Sequence, residues 1–401
     1  MIRKKASGAC RQFQEVLRHG DELGLFKVKG LVAAAGPGHT VVCTEEGEVY
    51  SFGAGANGIL GHGVERDEPY PRLVEAISDL YVTGVATGNK HTVITTKQGG
   101  CYTCGVAWYG RLGHGVEDED VLVPRVVEEL EGKKCGDLAA GDDHTVICTE
   151  DGEVYTFGYG GLGKLGHRGG NSEMTPRLVD GIAGENVEGV AAGNYHTICR
   201  TAEGKVFLFG DGRYGKLGFG DTKNQRSPKH LDKFEGLKVS RIAAGTHHSV
   251  FCLENGEIHT SGQGESGQLG HGGLADQLSP MVVEALKHKQ VIFVAAGAVH
   301  TAVCTSDGEV YTWGSGAHGK LGHGGDADEL FPRKLETLSG HSAVSVAAGH
   351  NHTVVCTETG EVFTFGGEPI EDSNSGGLES DELCDYVAET STHCQRFIIG
   401  Y

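Results

Sequence analysis

Positive charge is what this 401-residue chain has least of: 34 Lys and Arg stand against 54 Asp and Glu, a formal charge of -20. Such a surface repels phosphate backbones, so direct nucleic-acid binding is not expected. It complements a basic partner instead. No run approaches the ~20 apolar residues of a membrane helix. The start, Met1-Ile2-Arg3-Lys4-Lys5, is not followed by an apolar core, so no secretory signal is read and no membrane association is expected. Tryptophan is limited to Trp108 and Trp313. Glycine-rich runs such as Gly158 to Gly166 lack the G-K-[S/T] ending of a phosphate loop. No nucleophile stands beside a base outside a repeated pattern. Neither a catalytic residue nor a cofactor is therefore expected.

Glycine is abundant: 66 residues, over twice the usual ~7%. It sits at fixed positions. The marker G-x-x-H opens at Gly36, Gly88, Gly141, Gly193, Gly245, Gly297 and Gly349, 52 residues apart with one gap of 53. A second glycine follows every marker at one constant interval, from Gly53 in the first copy to Gly366 in the last. An L-G or similar step comes at a second constant interval in six copies, ending at Gly61, Gly113, Gly166, Gly218, Gly270 and Gly322. Then come Pro71, Pro124, Pro176, Pro228, Pro280 and Pro332. A fixed period of this length means an array of supersecondary units, none able to bury its own apolar face.

Within a unit, H-T-V-V-C-T (His39 to Thr44) is short and β-branched, E-D-G-E or a relative follows, and V-Y-T-F-G comes next. Two such runs around an Asp-Gly turn form a hairpin. The stretch from the proline to the next marker supplies two more strands. The fold class is therefore all-β: a seven-bladed β-propeller of four-stranded blades, its ring closed between the N- and C-terminal segments. Residues 27–366 make the propeller. Residues 1–26 are an N-terminal extension in which Phe13, Val16 and Leu17 have helical spacing. Residues 367–401 are an acidic Gly/Ser-rich tail with a final strand near Phe397 to Ile399. The expected closure has the strand around Val28 to Ala35 completing the blade begun at Gly349.

The pattern H-T-x-x-x-T-x-D-G-E-V-Y-x-W-G-x-G-x-x-G-x-L-G-H-G resembles the regulator of chromosome condensation repeat family over Lys27 to Gly366. The resemblance implies a closed seven-bladed propeller. It also implies one of several activities: nucleotide exchange on a Ran-like small GTPase, ultraviolet-B reception, a substrate-binding piece of a ubiquitin ligase, or an adaptor role. Fold does not choose among them. Exchange factors of the family carry a wedge between the aromatic strand and the L-G step. Here that interval is the same short one in all six complete copies, as from Gly53 to Gly61, with no insertion. Photoreception needs tryptophans on the loop face, and neither Trp108 nor Trp313 lies in a G-x-x-H loop. A monomeric protein-interaction propeller is the preferred reading, with a small GTPase or a basic protein as partner.

The resemblance places the G-x-x-H loops on one face around the central channel. The histidines His39, His91, His144, His196, His248, His300 and His352 recur in every copy, which reads as structure. The residues before them vary and are polar: Asn89, Lys90, Asp142, Asp143, Asn194, Tyr195, Thr246, His247, His350 and Asn351. These are the candidate partner-binding residues, on loops held by a rigid scaffold. The H-x-x-x-C spacing, as in His39/Cys43, is not expected to bind metal, since residues four apart on a strand lie about 13 Å apart. Six of the twelve cysteines (Cys43, Cys148, Cys199, Cys252, Cys304 and Cys356) read as one repeated position, far apart in a ring. Unpaired thiols suit a reducing compartment, cytoplasmic or nuclear. Cys101 and Cys104 align with the strand core positions Val49 and Phe52. The L-G-H-G histidines read as loop structure. Arg111, Lys164, Lys216, Gln268 and Lys320, each before the repeated Leu, read with the residues after the prolines as surface rings answering loop acids such as Glu117 to Asp120.

Overall fold

In each blade the two β-branched runs pair across their turn. In the third, His144–Thr149 runs antiparallel to Val154–Gly158. Gly152 makes the turn at φ +79, and a Cβ there would lie 2.7 Å from Asn186 Cα of the next blade. The left-handed backbone and the neighbouring strand both require glycine.

The computed structural model describes residues 32–116 and 119–367, and the backbone of 395–398. They form seven four-stranded antiparallel sheets, each in sequence order from the inside out. Blade 1 comprises Val32–Ala35, His39–Cys43, Val49–Gly53 and Glu68–Leu73. Blades 2 to 6 begin at Val82, Cys135, Val187, Val239 and Val291. Blade 7 comprises Ala343–Ala348, His352–Thr357, Glu361–Gly366 and Gln395–Ile398. Short 3-10 turns supply all the helical structure among the described residues.

The core lies between blades. One cluster joins Val146, Cys148, Val154 and Val179 of blade 3 to Val187, Val190, Cys199 and Phe209 of blade 4, all buried. Equivalent clusters occur around the ring. Full burial of one such valine stabilises by ~1.5–3 kcal/mol, and the partner surface is always the next blade.

The ring does close between its two ends: the inner strand of blade 1 packs on the first two strands of blade 7. The mechanism differs from expectation. Val32–Ala35 pairs with His39–Cys43 as the inner strand of its own blade. It does not complete the blade containing Gly349. That blade takes its fourth strand from the tail, with Gln395–Ile398 antiparallel to Glu361–Gly366. The reason is local. G-x-x-H is the tight turn inside the first hairpin of a blade, so each physical blade starts one strand before the marker. The helix expected within residues 1–26 lies outside the described residues, as do Glu117 and Asp118 of the acidic loop.

Candidate protein-interaction face

The seven marker histidines form one continuous latch. Each imidazole Nε2 meets the hydroxyl of the residue after the histidine in the next blade. His91 reaches Thr145 Oγ1 at 2.9 Å, His144 reaches Thr197 at 3.0 Å, and His196 reaches Ser249 Oγ at 2.8 Å. His352 reaches Thr40 at 3.0 Å and carries the latch across the closure. Thr145 in turn donates its hydroxyl hydrogen to Arg111 O at 2.7 Å. It therefore accepts from His91, which fixes the Nε2–H tautomer. Burial, with His352 adding repulsion, pushes the His39 imidazole down to about 3. Burial holds His91, His144, His196 and His300 well below the ordinary value. The marker glycine makes room for the ring: a Cβ on Gly88 would lie 2.3 Å from both His91 Cε1 and Gly141 O.

A second latch works within five of the blades. His62, His114, His167, His271 and His323 meet the hydroxyls of Ser51, Thr103, Thr156, Thr260 and Thr312 at 2.8–3.0 Å. These hydroxyls donate to the carbonyl of the repeated leucine, as Thr103 does to Leu112 O at 2.7 Å.

The residues before that leucine are not surface groups. Arg111, Lys164, Lys216, Gln268 and Lys320 are all at most 2% exposed. Three of them, Arg111, Lys164 and Lys320, reach the face loop of the following blade. Arg111 bonds Asp143 at 2.9 Å and donates to Asp142 O. Lys164 donates to Asn194 O at 3.1 Å, and Lys320 to Asn351 Oδ1 at 3.3 Å. Lys216 is held at 2.5 Å by Asp211, which is as buried as the lysine. Burial pulls the Lys164, Lys216 and Lys320 ammonium groups below their ordinary value, and the nearby carboxylates oppose it. Sequence reasoning missed this because five consecutive polar residues at one repeat position look like a solvated rim. The nearby leucine was the available signal: both residues sit in one tight turn that the next blade covers.

The variable loop pairs divide by position. Asn89, Asp142, Asn194, Thr246 and His350 line the mouth of the axial channel above a ring of alanines. Lys90, Asp143, Tyr195, His247 and Asn351 follow them in the same loops and do not line the mouth. His350 lies 3.6 Å from Asp142 across the mouth. Tyr195 and His247 stack at 5.6 Å. Lys90 is exposed and the other nine are partly buried.

The loop after each third strand adds residues that the sequence reading did not select. It lies on the same face, because Val106 N–H donates to Lys90 O and Tyr159 N–H to Asp143 O. There Trp108 is 59% and Tyr109 45% exposed. The Tyr109 ring packs on Tyr159 of the next blade at 5.0 Å. Lys164 lies 4.8 Å from the Tyr159 ring and 5.7 Å from Tyr195. Arg213 lies 5.4 Å from Tyr195, and Tyr214 packs edge-on to His247. Trp108, Tyr109, Tyr159, Tyr195, Tyr214 and His247 thus make one aromatic band across blades 2 to 5, with cations beneath and between the rings. Trp313 differs: it is buried, donating Nε1–H to Gln268 O at 2.9 Å.

Cysteine placement departs in one register. Cys43, Cys148, Cys252, Cys304 and Cys356 share a position, but in blade 4 it is Arg200, and Cys199 lies one residue earlier. The nine described cysteines are buried and unpaired. No group of three or more metal-ligating side chains occurs among the described residues.

Comparison with known proteins gives a consistent result. Residues 14–341 match the RCC1-like domain and residues 343–369 the regulator of chromosome condensation (RCC1) repeat. The human E3 ubiquitin-protein ligase HERC2 is 37% identical over 315 residues, 78% of this chain, and the chain spans only 6% of that ligase's length. The ultraviolet-B receptor UVR8 of Arabidopsis thaliana is 34% identical over 86% of this chain and 79% of the receptor. The crystal structure of Prp20p from Saccharomyces cerevisiae, a protein with described binding to Gsp1p and histones, superposes with a TM-score of 0.71. It covers 89% of this chain and 85% of Prp20p at 21% identity, a likeness of fold.

Proposed function

This chain belongs to the RCC1-like domain family, and from that premise we propose that it is a protein-interaction propeller, an adaptor or scaffold, docking its partner on the G-x-x-H face of blades 2 to 5. The observation that carries this reading is the aromatic band over buried cations, confined to that arc. Interface hot spots are built from Trp, Tyr and Arg seated among packed neighbours. The buried Thr246 Oγ1 and His247 Nδ1 have no hydrogen-bond partner among the described residues, which leaves polar valences within the arc. The charge of -20 favours approach of a basic protein at long range. Asp142 and Asp143 contribute little at contact, because Arg111 and His350 already face them.

The test compares the full chain with a Trp108→Ala/Tyr159→Ala variant in a quantitative pull-down from cell extract. A Tyr70→Ala variant, altered on the outer strand of blade 1, serves as control. The partner should be retained by the wild type and the control and lost from the double variant. Equal recovery by all three would refute the assignment of this face.

The identity to HERC2 favours a second reading, in which the propeller recruits substrates for a ubiquitin ligase. Under that reading the captured protein becomes ubiquitinated in an extract supplemented with the wild-type chain and not with the double variant. Exchange on a Ran-like GTPase has less support, since none of blades 1 to 6 carries an inserted wedge; recovery of a nucleotide-free GTPase in the same pull-down would reverse that order.

A further inference from the structure

Five blade interfaces contain one recurrent apolar pair at the end opposite the G-x-x-H face. The first residue opens the third strand of a blade, and the second opens the inner strand of the next. The pairs are Val49/Val82, Val154/Val187, Val206/Val239, Ile258/Val291 and Val310/Ala343, and each pair shares one buried cluster. Between blades 2 and 3 both members change together, to Cys101 and Cys135. The two thiols are neighbours in that buried cluster, close enough for each to shift the other's acidity. The backbones are also tied there, Cys135 N–H donating to Gly99 O at 3.1 Å.

We propose that Cys101 and Cys135 form an oxidation site, closed by hydrogen peroxide into a disulfide that staples blade 2 to blade 3. A valine pair would fill this interface as it fills three of the others, so packing alone does not call for two cysteines. The two thiols are also unequally placed. Cys135 is 4% exposed between the exposed Lys134 and Gly136, whereas Cys101 is 1% exposed behind it. The neighbouring Cys101 thiol holds the Cys135 thiol below its ordinary value; the Cys135 thiol and burial push Cys101 up. Cys135 is therefore the attacking sulfur and Cys101 the resolving one.

The chemistry balances. Cys135 loses its proton and attacks one peroxide oxygen. The O–O bond breaks, an S–O bond forms, and hydroxide leaves to become water. Cys101 then loses its proton and attacks the Cys135 sulfur. The S–O bond breaks, the S–S bond forms, and a second water leaves. Two thiols are oxidised and one peroxide is reduced to two waters.

The remaining repeated cysteines provide an internal control. Cys43, Cys148 and Cys304 donate to the backbone carbonyls of Val82, Val187 and Ala343 at 3.0–3.4 Å, and no thiol receives them. Burial pushes each of these thiols up to about 12.

The experiment treats the reduced full-length chain with hydrogen peroxide, blocks free thiols, and maps linkages by mass spectrometry without reduction. The expected product joins the Cys101 peptide to the Cys135 peptide with the loss of two hydrogens. Cys43, Cys148 and Cys304 should remain free. The melting midpoint should rise by about 2–4 °C and return on reduction. A Cys101→Val/Cys135→Val variant, which restores the pair of the other interfaces, should fold and show neither change. Three results would overturn the proposal: both thiols still free, Cys135 converted to sulfinic acid while Cys101 stays a thiol, or a linkage that joins Cys135 to another cysteine.

Discussion

Asp143 and His144 are adjacent in sequence, and they belong to different layers of the molecule. His144 lies in a layer that recurs around the ring: an imidazole and a hydroxyl one blade on in all seven blades, with a carbonyl beneath the hydroxyl in six. Asp143 lies in the layer above, where no two blades agree. That upper layer is also uneven. Blades 2 to 5 carry Trp108, Tyr109, Tyr159, Tyr195, Tyr214 and His247, whereas the loops of blades 6 and 1 offer Ala298-Val299 and Pro37-Gly38. Both arcs stand on the same latch. The difference between them is therefore not needed to close the ring, and it is the feature on which the proposed interaction role rests.

The largest expected effect belongs to the lower layer and appears on acidification. A latch histidine has a lowered value in the folded state, so the unfolded chain binds its proton first. Stability is then full above about pH 6.5 and falls as the pH drops towards the folded value, about 3 for His39 and His248. Within that window each such histidine costs about 1.4 kcal/mol per pH unit. Urea midpoints measured from pH 7.5 to 4.5 should decline with a slope of several protons. A slope near one proton would mean that the latch is not neutral and buried as described.

Single latch removals come next. His144→Ala in the aromatic arc and His300→Ala in the plain arc should each cost about 2–4 kcal/mol, from the cavity and an unsatisfied hydroxyl. Equal losses in chemical denaturation support one shared lower layer. A loss confined to one arc would break the comparison.

Asp143→Ala should have a smaller effect, about 1–3 kcal/mol, because it strips the carboxylate from a nearly buried Arg111. From the sequence alone this change is an ordinary surface substitution. A midpoint within about 0.5 kcal/mol of the wild type, the range of such substitutions, would show that Arg111 finds another partner.

These cases mark what the chain made legible. The blade count, the four strands and the Gly152 turn followed from spacing and β-branched runs, since period and turn chemistry are local. The strand frame was misjudged because a motif marks a turn and does not say which strand opens the sheet. The buried Arg111, Lys164, Lys216 and Lys320 were hidden because their burial comes from a residue some 30 positions later in the next blade. Arg200 was misread because one shifted cysteine kept the pattern looking intact. For the candidate face, sequence spacing identified the loops but not the aromatic band, which draws on a second loop per blade. Tyr109 and Tyr214 adopt left-handed backbone at φ 62, a conformation sequence reasoning assigns to glycine or asparagine.

The smallest effect on stability tests the upper layer most directly. Trp108 is 59% exposed, so Trp108→Ala removes little buried area and should leave the unfolding midpoint within about 0.5 kcal/mol. If the band is the contact surface, the same change removes an anchor that a partner would desolvate, and binding should weaken about 10-fold or more. Leu162→Ala, 39% exposed in the corresponding loop of blade 3, should weaken it less, having no ring to stack. The plain arc supplies the contrast: His318→Ala, at the matching loop position of blade 6, should change neither quantity. Isothermal titration against the captured partner reads all three. An equal loss from Trp108→Ala and His318→Ala would spread the contact over the whole face and remove the distinction between the two arcs.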